Sequence, residues 1–323
     1  MSSKSSALDL AEDEGGNDSR LTVVLALSAN LLVALAKSGT ALVTGSASLL
    51  AEAAHSWADT GNEIFLLVAQ RRSQRPANDE HPGGFGREAY VWSMFAAMGL
   101  FAAGAAVSII HGVQQLLTPE PAEHFLLAYL VLALALLLEG GSFVQSVRQG
   151  RREAGRADRE LLEHILATSD PTLRAVFAED AAALVGIVIA STGIALHQIT
   201  GSSAPDAVGS ILVGILLAAT SVILIDRNRR FLVGEAVQPA IRAAALTNLL
   251  SWPEIRSVSY LHLEYSGPQR VALLARVDLA EDAPESRVAA MIAELERRIE
   301  ARPAISRAVL ALSHPDSAPL SAP

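Results

Sequence analysis

The sequence predicts an all-α six-helix transmembrane bundle followed by a C-terminal α+β ferredoxin-like cytoplasmic domain. Three observations lead there. The 323 residues are 51% hydrophobic and only 18% charged, where a soluble chain carries about 25% charge. Six apolar stretches approach the roughly 20 residues needed to cross a bilayer. After Gly234 the pattern changes to that of a soluble α/β domain. The expected division is a disordered acidic tail over 1–19, the bundle over 20–232, an αββαβ domain over 233–314 and a frayed end over 315–323.

The tail carries Asp9, Glu12, Asp13, Glu14 and Asp18 and lacks the basic segment of a signal peptide. The spans are expected at Leu21–Thr44, Ser48–Val68, Glu88–Val113, Phe125–Val147, Leu173–Leu196 and Pro205–Ile225. Charge separates the connections. Arg71, Arg72, Arg75 and Arg87 follow the second span, Arg148, Arg151, Arg152, Arg156 and Arg159 the fourth, and Arg227, Arg229 and Arg230 the sixth, while the opposite loops hold no Lys or Arg. The positive-inside rule then puts both termini in the cytoplasm, the parity that six spans demand. A bacterial plasma membrane is the expected location.

The C-terminal pattern reads as an amphipathic helix over Val237–Leu250 and a strand over Ile255–Tyr265. A turn at Gly267-Pro268 leads to a second strand over Arg270–Leu279. A helix over Glu285–Ala301 puts Val288, Met291, Ile292, Leu295 and Ile299 on one face, and Ile305–Leu312 is the last strand.

Ionisable groups inside spans are costly and mark function. The second span carries Glu52, His55, Asp59 and Asn62 at spacings of three, four and three, one stripe of a helix. His55 and Asp59 lie one turn apart and could both reach one metal ion. Zinc takes four ligands, with His and carboxylate among its usual donors, so a second helix is needed. The fifth span offers Glu179 and Asp180. Adjacent residues point about 100° apart, so Asp180 is the expected ligand and Glu179 is expected to meet another helix or water. Glu52, near the outer mouth, and Asn62 are candidates for the periphery of the site or for packing, and Glu139 in the fourth span for support of the site. Lys37 in the first span either pairs with an acid or snorkels. His111 reads as interfacial. With no cysteine in the chain, any metal ligands are His, Asp, Glu or Asn, which suit zinc, manganese, iron or cobalt better than copper(I).

These residues carry a resemblance. His55-x-x-x-Asp59, followed by the loop His81-Pro82-Gly83-Gly84-Phe85-Gly86-Arg87-Glu88, is similar to the second helix and inner loop of the cation diffusion facilitator family. The Glu179-Asp180 pair, Asp170-Pro171-Thr172 and Glu139-Gly140 look like the branch containing the mitochondrial zinc exporter relatives. The resemblance implies efflux of a divalent metal, here zinc as substrate, driven by proton influx through alternating access. It also implies a homodimer and a site on His55, Asp59 and Asp180. Many members place an Asp or His one turn before the fifth-span Asp, where this chain has Val176. Glu179, Asn62 or water would then complete the shell. In the inner loop His81 is a candidate access ligand, and in the C-terminal domain His262, His314 and Asp316 are candidates for regulatory metal.

The alternatives are the same fold carrying manganese, iron or cobalt, and a membrane metal sensor or scaffold that does not transport. An enzyme is not expected, since there is no His-Glu-x-x-His and no catalytic serine motif in a span. The net charge of −9 argues against a nucleic-acid partner. No cofactor is expected beyond the transported ion.

Overall fold

The computed structural model describes residues 18–119, 124–156, 159–314 and 316–321. The acidic tail expected over residues 1–19 falls outside these up to position 17, and Asp18 and Ser19 open the first helix. The chain separates into two compact units. One contains residues up to Arg71 together with Ala89–Arg229; the other contains Arg72–Glu88 together with Arg230 onward.

The first unit is helical: α1 (Asp18–Thr44), α2 (Ala47–Ser73), α3 (Glu88–Gly99), α4 (Val107–Leu117), α5 (Phe125–Arg156), α6 (Leu161–Ala167), α7 (Pro171–Thr200) and α8 (Ala204–Val233). A π-helical run, Leu100–Ala106, joins α3 to α4 without a break. Among the described residues, four helices are long and apolar enough to cross a membrane: α3–α4, α5, α7 and α8. In α1 the apolar stretch among these residues is the shorter Asn30–Thr44. Helix α2 is as long as α1, 27 residues, but Glu52, His55, Asp59, Asn62 and Glu63 lower its hydropathy. The short α6 was not anticipated.

The helix ends follow from local chemistry. Asp170 caps α7, its carboxylate accepting from the Thr172 and Leu173 amides at 2.9 and 3.3 Å, with Pro171 at the first helical position. Gly201 ends α7 in the left-handed conformation, φ 70°. The start of α2 borrows its cap from α8. The fully buried Asp206 accepts from the Ala47 amide at 2.7 Å and the Ser46 hydroxyl at 2.9 Å, and also from the Ser48 hydroxyl. Val33, Ala41, Leu49, Leu132, Ile187 and Ile194 belong to one core cluster joining α1, α2, α5 and α7. Close helix contacts were expected at Gly99, Gly104, Gly186, Gly209 and Gly214. Gly99 has open space around it, whereas an added Cβ at the other four would crowd a neighbouring helix. At Gly214 it would meet the Ala105 carbonyl at 3.0 Å, and at Gly112, across the same helix pair, the Ala207 carbonyl at 2.8 Å.

The second unit holds α9 (Pro239–Leu250), β1 (Ile255–Gly267), β2 (Arg270–Leu279), α10 (Glu285–Glu300) and β3 (Ile305–Leu312). The sheet order is β1-β2-β3. β1 and β2 form an antiparallel hairpin, pairing Gly267 with Arg270 at its tip and Ile255 with Leu279 at its base. β2 and β3 run parallel, Val271 opposite Ile305, with α10 as the crossover. Val258, Leu263, Leu273, Val277 and Leu295 are buried. The end expected to fray over 315–323 is held at one point, where the Leu320 amide donates to the Val258 carbonyl at 2.7 Å.

Candidate metal site

Four helices of the first unit, α1, α2, α5 and α7, enclose a cavity of about 300 Å³. Its acidic lining is Asp59 and Glu63 from α2, Glu139 from α5, and Glu179 and Asp180 from α7. On α2 the lining runs from Ser56 to Leu66 and on α7 from Ala183 back to Val176.

Each acid is held from one side. Asp180 Oδ2 accepts from the Ser142 hydroxyl at 2.8 Å. Glu63 accepts from the Asn30 amide at 2.8 Å, and Glu179 from the Asn62 amide. Lys37 donates to Glu139 at 2.9 Å. One oxygen each of Asp59, Glu63, Glu139 and Glu179, and of the Asn62 amide, is buried without a hydrogen-bond partner. Buried polar atoms normally find partners, so this convergence of acceptors suits a cation. Imidazole and carboxylate are the donors that zinc uses.

His55 lies one turn from Asp59, its Nε2 3.5 Å from Asp59 Oδ2. It is fully buried, neither ring nitrogen has a hydrogen-bond partner, and it stands behind Asp59, not in the cavity lining. Among the described residues, no three His, Asp or Glu side chains are gathered so as to hold one ion as they stand. The cavity brings Asp59 and Asp180 to one space and leaves His55 a turn away from it.

Two expectations need correction. Glu179 was expected to turn from the site because its neighbour Asp180 faces it, yet both line the cavity; the extra methylene of Glu and the hydrogen bond from Asn62 bring it round. Glu52 was placed at a solvated outer mouth, but it is fully buried and ion-paired with Lys37 at 3.0 Å. Lys37 pairs and does not snorkel. Val176 also lines the cavity, an apolar wall one turn before Asp180.

Sequence reasoning missed Asn30, Glu63, Ser142 and Gln145 as lining residues. A signal existed for two of them. Glu139, Ser142 and Gln145 recur every third residue and share a helical face. Asn30 stands in an apolar run and gave no periodic cue.

The remaining candidates lie in the other unit. His81 sits in an exposed turn closed by Asn78, its ring 4.3 Å from that of Phe85, over which Arg75 also lies at 4.5 Å. His262 Nε2 is 3.4 Å from Glu264 Oε2, and Glu264 pairs with Arg87. His314 and Asp316 approach to 3.7 Å, both largely exposed. Gly86 packs directly on the Ser266-Gly267 backbone, where a side chain would collide.

Helices long and apolar enough for a bilayer, with a cluster of carboxylates enclosed among them, define a membrane protein built to handle cations. The cation efflux transmembrane domain matches residues 23–233. The chain therefore belongs to the cation efflux, or cation diffusion facilitator, family of membrane metal transporters. It is 36% identical over 236 residues to the Xenopus laevis mitochondrial proton-coupled zinc antiporter SLC30A9, covering 73% of this chain and 42% of that protein. It is 33% identical over 260 residues to metal tolerance protein C4 of Arabidopsis thaliana, covering 80% and 57%. It is 27% identical over 294 residues to the cation-efflux pump FieF of Cronobacter sakazakii, covering 90% of each chain. The match thus spans about half the length of the first two relatives.

Proposed function

We propose that this chain is a divalent-cation efflux transporter, with zinc as its substrate, that exchanges the metal for protons by alternating access. The observation that carries this reading is the cavity itself: five carboxylates around one enclosed space, several with an oxygen that lacks a partner. The relatives named as zinc antiporters and cation-efflux pumps support it. In this reading α1 and α2 join α3–α4, α5, α7 and α8 as six spans, with both termini on the cytoplasmic side. A homodimer in a bacterial plasma membrane fits the same reading.

Asp59 and Asp180 bind the ion from opposite helices, and His55 completes the site by a rotamer change towards Asp59. Val176 offers no donor, so the remaining coordination falls to Glu179, Asn62 or water. The lining runs towards the ends of α2 and α7 that adjoin the Arg-rich segments, which makes the cytoplasm the loading side. Only deprotonated imidazole and carboxylate bind metal, so protons arriving from outside lower the affinity and release the ion. Imidazole favours zinc or cobalt over manganese.

The test is zinc flux into liposomes under an imposed pH gradient. Gradient-dependent flux that disappears in Asp180→Ala supports the reading. Flux of manganese, iron or cobalt without zinc changes the substrate, and flux of no ion leaves a sensor or scaffold.

A further inference from the structure

At the end of the cavity away from Leu66 lies a buried ion triad. Lys37 of α1 reaches Glu52 of α2 at 3.0 Å and Glu139 of α5 at 2.9 Å. Lys37 and Glu52 are completely buried, and Glu139 is 13% exposed. Each carboxylate gives one oxygen to the ammonium, while its other oxygen is buried without a partner. Glu139 belongs to the triad and to the cavity at once. Glu52 Oε1 lies against Gly186, in space that any Cβ at that position would take.

These features differ from a pair built only for packing. A buried ion pair that merely joins helices gains most when every lone pair is satisfied. Here two acids from different helices bracket one compact cation and keep spare acceptors. An ammonium is a strongly hydrated point charge on a flexible stem. Its nitrogen sits about 3 Å from the two oxygens, whereas a divalent metal binds carboxylate oxygen at about 2.0–2.2 Å. A shift of about an ångström by each side chain would let a metal ion replace the ammonium.

We propose that Lys37 is a tethered cation occupying a second divalent-metal position between Glu52 and Glu139, and that it thereby restricts the membrane site to one transported ion. The proposal rests on the reading of the cavity as a metal site. Lys37 holds Glu139 away from the transported ion and supplies a fixed positive charge beside it. The ion bound by Asp59 and Asp180 is therefore held less tightly and leaves faster. With the lysine neutralised, the bracket accepts a second ion, and the first is held more tightly.

The test counts zinc bound to the purified full-length protein by equilibrium dialysis, comparing wild type with Lys37→Gln, Lys37→Arg and the double variant Lys37→Gln/Glu139→Gln. Lys37→Gln is expected to bind one more zinc per chain than wild type, whereas Lys37→Arg and the double variant match wild type. Thermal unfolding gives a second reading. Lys37→Gln loses stability and saturating zinc restores it, while the neutral triple variant Lys37→Gln/Glu52→Gln/Glu139→Gln needs no zinc. An unchanged zinc count in Lys37→Gln overturns the proposal and leaves the transport site standing. Instability that zinc does not relieve, including failure to fold with zinc present, overturns it as well. A wild-type protein that binds no zinc in the membrane unit, judged by an Asp59→Ala/Asp180→Ala control that leaves the count unchanged, overturns both this proposal and the metal-site reading.

Discussion

The two units of the chain follow opposite rules of burial. In the helical unit large apolar side chains face outward: Leu42 is 84% and Ile199 80% exposed. Its charges turn inward, with Lys37, Glu52 and Asp206 fully buried. In the C-terminal unit Val258 and Val277 are fully buried, while the Arg297–Glu294 and Arg287–Glu281 pairs stand in the open. Both patterns come from one physical rule. A group is placed where its solvation is cheapest, and the surroundings differ: hydrocarbon around the helices, water around the sheet. A charge inside the bundle is therefore kept for a purpose, while a charge on the C-terminal unit needs none.

That contrast can be broken or sharpened by substitution. The largest effect is expected at the cavity. Asp180→Ala or Asp59→Ala should reduce zinc flux in proteoliposomes by at least ~100-fold, the range seen when a group acting only in the functional step is lost. The purified protein should keep its helix content, and flux near wild type in both variants would remove these acids from the site.

Next comes Lys37→Leu, which strands Glu52 and Glu139 without their cation. Breaking a buried ion pair by removing one partner costs about 3–5 kcal/mol, readable as a lowered unfolding temperature in metal-free detergent. Leu295→Ala tests the other unit. It leaves a hole beneath the sheet and should cost about 2–5 kcal/mol, seen as faster hydrogen exchange confined to β1, β2 and α10. A loss of exchange protection in the helical unit instead would show that the two units do not unfold separately.

The smallest effect belongs to an exposed pair. The Glu254 carboxylate accepts from Arg298 at 2.7 Å; a backbone hydrogen bond and that arginine hold its pKa below the ordinary value. A folded-state pKa that is depressed adds stability above the unfolded value, and this is lost as pH falls through the folded one. Glu254→Gln should thus destabilise by about 0–1 kcal/mol at neutral pH. The difference should vanish in acid below the folded pKa. An effect that persists there would point to packing of the side chain and not its charge.

Sequence periodicity marked the apolar stretches, the αββαβ order of the C-terminal unit and the turn at Gly267-Pro268, because each is written in adjacent residues. The charge stripe on α2 was legible for the same reason. What stayed hidden depends on distant pairing. Glu52 finds Lys37 across 15 positions and Lys37 finds Glu139 across 102, so no local pattern could show that the outer acid is buried. The cap of α2 comes from Asp206, about 160 residues away. The turn of Glu179 into the cavity depends on Asn62 and on side-chain length, neither of which the helical wheel resolves.

The π-helical run Leu100–Ala106 has a consequence for how the length of this chain can vary. Its i→i+5 bonding takes up one more residue per turn than an α-helix does. Losing a single residue there would let the run relax to α-helical pitch and rotate everything beyond it by about 100°. Ser108, which accepts from the Ser210 hydroxyl at 2.8 Å, and Gly112, which packs on Ala207, would both swing off α8. Insertions and deletions among relatives should therefore avoid positions 100–106, even though the side chains themselves, Leu, Phe, Ala and Gly, could be exchanged with little effect. Selection here acts on the number of residues more than on their identity.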